Sequence, residues 1–265
     1  MSALLFEKSG AVVTLTLNRP DSRNPLGEEG DGELFAEACR RINDDREVRC
    51  VVLTGAGSAF SAGGNVKAMR ERAGVFAGAG VHIRERYRHG IHKIVRAVWG
   101  IEVPAIAAVN GPAIGLGADV ACLADIRIAA DSAVFGATFL KIGLVPGDGG
   151  AWILPRVIGM ARAAELVFTA DTIDAATALS WGLVSKVVPA ALLMDEARAL
   201  AARICRQPPD ALRMTKRLMR EGQGASFETI MEMSAAFQSL AHLSEDHTEA
   251  IAAFFEKRAP DFKGR

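Results

Sequence analysis

Residues 104–129 read PAIAAVNGPAIGLGADVACLADIRIA, and the fold class follows from how this stretch divides. The apolar run from Pro104 to Val109 has the length of a buried strand. It leads directly into the glycine-rich segment Asn110-Gly111-Pro112-Ala113-Ile114-Gly115-Leu116-Gly117 and then a short apolar helix, ADVACLA. A further strand, Ile126-Arg127-Ile128-Ala129-Ala130, follows at once. Strand, glycine-rich turn, helix and strand in succession predict an α/β core built on parallel pairing.

The flanking sequence extends this pattern. Upstream, Cys50-Val51-Val52-Leu53-Thr54 is a second continuous apolar run, bounded by Gly55 and Gly57. Residues 3–18 alternate around Gly10 and predict an N-terminal hairpin. Leu34, Phe35, Cys39 and Ile42 recur at helical spacing within residues 28–43. Residues 70–100 are charged and interrupted by glycine, with a helix predicted over 81–98. Beyond Pro189 the spacing becomes helical throughout, in segments 190–206, 209–221, 226–242 and 244–257.

Composition narrows the function classes. With 50% apolar and 23% charged residues, the 265-residue chain is globular rather than disordered. Thirty-one basic and thirty-one acidic residues cancel, so no global field recruits nucleic acid or an anionic membrane. Cys39, Cys50, Cys122 and Cys205 lie far apart with no CxxC pair, which fits a reducing compartment better than a disulfide framework. The opening MSALLFEKSG lacks the layout of a signal peptide, and no run of about 18 uncharged apolar residues occurs. These features lead us to expect a soluble, cytoplasmic protein.

Two glycine-rich segments each follow a predicted buried strand: Ala59-Phe60-Ser61-Ala62-Gly63-Gly64-Asn65-Val66, and residues 110–119. Glycine lets backbone approach a ligand closely, and the first N–H groups of a helix have no partner within it. Two such donors converging on one carbonyl oxygen would form an oxyanion hole. Taken singly, either segment also reads as turn and packing glycine. A dinucleotide fingerprint fails because Val120 stands where its third glycine belongs, and no Gly-Lys-Ser/Thr marks a phosphate loop.

Together the two segments resemble those of the crotonase (enoyl-CoA hydratase/isomerase) family. The likeness extends to TLNRPDSRNPL, AFSAGGNVKAM, FGATFLKIGLVPGDGGAWILPRVIG and ALSWGLVSKVVP, and so covers nearly the whole chain. It implies a spiral of ββα units over residues 1–195 and a helical oligomerisation region over 196–265, assembling as a homotrimer or a dimer of trimers. It further implies that the Gly64 and Leu116 amides receive the thioester carbonyl. The CoA cleft would use backbone near Ala62, with Arg23 and Lys67 near the nucleotide, and for these two side chains ordinary solvated charge is an equal alternative. Phe254 and Lys257 would reach a neighbouring subunit's CoA. No cofactor is implied, because coenzyme A arrives as part of the substrate.

The acids are where the chain departs from the family. Hydratases of the family hold a water between two glutamates; here the first position is Asp119 and the second is Phe139. Asp119 keeps a carboxylate one methylene shorter, and the alternative is a first-turn aspartate favoured by the helix dipole. Asp148, within Pro146-Gly147-Asp148-Gly149-Gly150, stands one position after the aspartate of some isomerases and a dehalogenase. Its alternative is an N-cap for the following helix. Phe139 and Trp152 are candidates for the acyl pocket or for ordinary core positions. His89 and His92 lack a third ligand, so no metal site is expected. Enoyl-CoA hydration is the leading expectation, with double-bond isomerisation through an aspartate base as the alternative. A non-catalytic acyl-CoA-binding protein is the expectation from another class.

Overall fold

The computed structural model describes residues 2–265. A six-stranded sheet in the order β1-β2-β3-β4-β6-β9 forms its backbone. The strands are β1 (Leu4–Ser9), β2 (Val12–Leu17), β3 (Cys50–Gly55), β4 (Ala105–Val109), β6 (Ile126–Ala130) and β9 (Lys186–Val188). A smaller sheet, ordered β5-β7-β8, joins β5 (Ala113–Ile114), β7 (Val134–Gly136) and β8 (Thr172–Asp174). The helices are α1 (Asp31–Asp44), α2 (Val66–Glu71), α3 (Gly80–Arg86), α4 (His92–Trp99), α5 (Leu116–Leu123), α6 (Gly150–Ile158), α7 (Met160–Thr169), α8 (Ala175–Ser180) and α9 (Leu193–Ile204). They are followed by α10 (Pro209–Glu221), α11 (Phe227–His242) and α12 (Glu245–Glu256).

β1 and β2 form the expected antiparallel hairpin, pairing Leu4 with Leu17 across a turn where Gly10 takes φ +56°. The remaining strands of the large sheet pair in parallel, β3 setting Val51 against Ala105 of β4. Parallel strands covered on both faces need apolar residues at every position, which explains the unbroken runs in β3 and β4. Val51 and Leu53 face the larger core, with Phe35, Ile42 and Ile94. Cys50 and Val52 face a second core closed by Leu193, Ala197 and Ala201 of α9. The expected boundary at 195/196 lies within α9, which packs on this second core; the helical region of α10, α11 and α12 follows it. Lys216 of α10 ties that region down, its Nζ lying 2.7 Å from Asp125 and 2.6 Å from the Val103 carbonyl.

One helix departs from expectation. The segment predicted as helix over 81–98 is α3, then a π-helical turn Tyr87–Ile91, then α4. A π turn inserts one residue into the helical spacing, so apolar periodicity does not register it. All four cysteines are free, three of them buried. Burial pushes the thiols of Cys39, Cys50 and Cys122 up to about 12.

Close backbone approach fixes where glycine is required. A Cβ on Gly117 would lie 2.5 Å from the Ser61 carbonyl oxygen, whereas one on Gly80 would meet nothing within 4 Å. Gly117→Ala should lower stability by about 1–3 kcal/mol through overpacking. Gly80→Ala should be neutral or raise stability by up to about 1 kcal/mol. Urea denaturation midpoints of the two variants test the contrast.

Candidate active site

The two glycine-rich segments meet as a backbone ribbon. Ser61 N–H donates to the Pro112 carbonyl at 3.0 Å, and Ile114 N–H donates to the Ser61 carbonyl at 2.9 Å. On the other edge, Ala62 N–H donates to the Arg23 carbonyl at 2.8 Å and Leu26 N–H to the Gly63 carbonyl at 2.9 Å. The buried Ser61 hydroxyl locks the turn, donating to the Asn24 carbonyl at 2.7 Å and accepting from Gly63 N–H at 3.1 Å. Gly63 takes φ +83°, and a Cβ there would lie 2.5 Å from the Ile114 oxygen and 3.4 Å from the Leu116 nitrogen. The ribbon thus holds residues 63–64 beside the start of α5.

Among the described residues, neither the Gly64 nor the Leu116 amide donates to any acceptor in the chain. Leu116 opens α5, so its N–H has no partner within the helix. Both residues line one small cavity of about 50 Å³. Its walls are otherwise mostly apolar, with Ile114, Phe139 and Leu144 among them, and Asp148 contributes a carboxylate. The cavity shares Val66, Met69, Phe76, Tyr87, Ile142 and Leu144 with a wider trough of about 730 Å³. Two free amides and a carboxylate around an apolar space can polarise a carbonyl and move a proton beside it.

The two candidate acids, Asp119 and Asp148, occupy different environments. Asp119 is fully buried and does not line the cavity. Its Oδ2 accepts from Gly150 N–H at 3.0 Å, capping the first turn of α6 across 31 residues of chain. A Cβ at Gly150 would lie 2.4 Å from Asp119 Oδ1, so this contact needs glycine there. Asp148 is not the N-cap of α6; Gly149, at φ 102°, holds that position without a side-chain cap. Its Oδ1 is buried without a hydrogen-bond partner, as is Asp119 Oδ1. Burial raises Asp148 to about 6. Burial, and then the neighbouring Asp148 charge, raise Asp119 well above the usual carboxylate range, against the lowering effect of the Gly150 N–H.

The remaining candidates divide. Phe139 lines the cavity, but Trp152 does not; α6 turns it outward, edge-on to Trp99 at 5.1 Å and under the Arg156 guanidinium. Ala62 lines the cavity and also borders an adjoining surface cleft with Arg19, Ser22 and Asn65. Its N–H is already committed to Arg23, which leaves its carbonyl for a ligand. Arg23 and Lys67 are exposed and form no ion pair among the described residues. Sequence reading missed Tyr87 and Thr138, which bring oxygen-bearing side chains to the cavity. The one available signal for Tyr87 was its being the chain's single tyrosine.

Known proteins share the architecture and the sequence. Residues 7–265 match the family model described as enoyl-CoA hydratase/isomerase. The chain is 36% identical to a 1,2-epoxyphenylacetyl-CoA isomerase from Escherichia coli, covering all of both chains. It is 36% identical to a short-chain-enoyl-CoA hydratase from Clostridium acetobutylicum, covering 100% of this chain and 99% of the other. A crystal structure of an enoyl-CoA hydratase from Bacillus anthracis superposes with a TM-score of 0.93 at 33% identity, covering both chains completely.

Because the folded Asp148 titrates above the unfolded carboxylate, its charged form opposes folding. This group's contribution should turn against folding as pH rises from about 4 to about 6. Asp148→Asn should match the parent below pH 4 and exceed it above pH 6 by up to about 3 kcal/mol. Thermal melts of both proteins across this range check the sign.

Proposed function

The chain belongs to the enoyl-CoA hydratase/isomerase family, and on that premise we propose that it binds an enoyl-CoA thioester, stabilises its enolate with the Gly64 and Leu116 amides, and transfers protons with Asp148. The observation that carries this reading is the buried, unpartnered Asp148 carboxylate lining the same apolar cavity as the two free amides. Removing one such donor costs oxyanion-hole enzymes about 3–4 kcal/mol of transition-state stabilisation. Coenzyme A enters as part of the substrate, with its nucleotide toward Arg23 and Lys67 and the Ala62 carbonyl facing its pantetheine arm.

Hydration of a 2-enoyl-CoA is the first reading, supported by the hydratases among the relatives. One carboxylate suffices for it. Asp148 takes a proton from water as the oxygen bonds to Cβ, the π electrons move onto the thioester oxygen, and the protonated Asp148 returns the proton to Cα. Double-bond isomerisation is the second reading, favoured by Phe139 and by the withdrawal of Asp119 behind α6. In that case Asp148 carries one proton between Cα and Cγ. Asp119 acts as a positioning residue under either reading, through its hold on the start of α6.

Loss of the conjugated enoyl-thioester absorbance, with water incorporated, supports hydration; gain of that absorbance from a 3-enoyl-CoA supports isomerisation. Asp148→Asn should lower kcat about 10²–10⁴-fold while acyl-CoA affinity holds. In the parent, kcat/KM should rise with pH and level off above about 6, as the base ionises. Tight acyl-CoA binding with no turnover of either substrate would leave only a binding protein.

We further propose a homotrimer or dimer of trimers in the cytoplasm. No residue of α11 is buried, and Leu243, Phe254 and Phe255 are each more than three-quarters exposed. Apolar exposure on this scale marks an association surface. Among the described residues, no helix is long and apolar enough to cross a membrane. Sedimentation equilibrium should give three or six times the chain mass; a monomer would refute the assembly.

A further inference from the structure

We propose that Tyr87 is the second polar group of the reaction site, its phenolic hydroxyl holding the water that Asp148 deprotonates. This role presupposes the hydration proposed above. Of the fifteen residues lining the inner cavity, only Tyr87, Thr138 and Asp148 carry a side-chain oxygen. Asp148 is the one carboxylate in that lining, so a water bound to it needs another partner to fix its orientation.

The geometry supplies one. Tyr87 opens the π turn Tyr87–Ile91, and both ends of that turn line the cavity. π turns of this kind concentrate at functional sites. The Tyr87 ring edge lies 3.7 Å from where a Cβ on Gly147 would stand, and Gly147 immediately precedes Asp148. His92, edge-on to the same ring at 6.0 Å, places Nε2 2.9 Å from the Gly147 carbonyl oxygen. The helix carrying the phenol therefore also grips the loop carrying the carboxylate, which fixes the two groups relative to each other.

Their chemistry is complementary. Burial, reinforced by the Asp148 charge, pushes the Tyr87 phenol up to about 12, so it remains a donor at working pH. A water between them donates one proton to Asp148 and accepts the Tyr87 O–H, leaving its second lone pair for Cβ. Tyr87 stays protonated through the addition, and the transferred proton travels only through Asp148.

Tyr87→Phe keeps the ring and deletes the hydroxyl. We expect hydration kcat to fall about 10–100-fold, the scale of a misplaced reactant, with a smaller change in KM. Affinity for a 3-hydroxyacyl-CoA should fall relative to the saturated acyl-CoA of equal length, whereas a purely packing role would shift both alike. Fluorotyrosine labels Tyr87 alone, and its fluorine resonance should titrate near pH 6 with Asp148. His92 is another titratable group against the ring, so the part of the titration that Asp148→Asn removes is the part that belongs to Asp148. Unchanged hydration by Tyr87→Phe, or a titration that Asp148→Asn leaves unaltered, overturns the proposal. A parent protein that hydrates no enoyl-CoA would instead refute the hydration reading itself, and this role with it.

Discussion

Four backbone hydrogen bonds around Ser61, Ala62 and Gly63 hold this structure's chemistry in place. They bind one loop between the chain entering α1 and the chain entering α5, and leave the Gly64 and Leu116 amides without an acceptor in the chain. A backbone donor with no acceptor is costly to bury, and the N–H of the buried Leu116 carries that cost. The approach is close enough that side chains are excluded at Gly63 and Gly117. The sheet, the α5 N-terminus and the cavity all take their relative positions from this contact.

The pair of buried aspartates illustrates a division between structure and chemistry that residue type does not reveal. Asp119 spends one oxygen on the start of α6 and so stabilises the loop that delivers Asp148. Asp148, freed from capping, keeps an oxygen without a partner beside the apolar wall. Strongly perturbed carboxylates of this kind cluster at catalytic centres, because only surrounding packing makes them tolerable. The two groups also repel, which biases the deeper Asp119 toward its neutral form whenever Asp148 is charged.

Much of this was legible in the sequence. The doubly buried strands, the hairpin around Gly10 and the four C-terminal helical segments follow from periodicity and punctuation alone. Gly64 and Leu116 came from the family resemblance of the two glycine-rich segments, and the structure leaves both amides free beside one cavity. The aspartate roles were not legible, since the contact between Asp119 and Gly150 joins residues 31 positions apart. The alternatives left open for Trp152 turned on the start of α6 at Gly150, because that phase decides which side of the helix faces the cavity. Tyr87 was hidden by the π turn, which changes the helical phase without changing the apolar pattern.

The buried cysteines acquire a separate meaning once the ligand is a thioester. An acyl group on sulfur is open to exchange with any thiolate, and an enzyme holding such a ligand risks acylating itself. Cys122 lies one helical turn beyond Asp119 on α5, the nearest thiol in sequence to the reaction centre. Burial keeps it, with Cys39 and Cys50, overwhelmingly in the unreactive protonated form. The packing that closes the core also protects the substrate's own bond from transthioesterification.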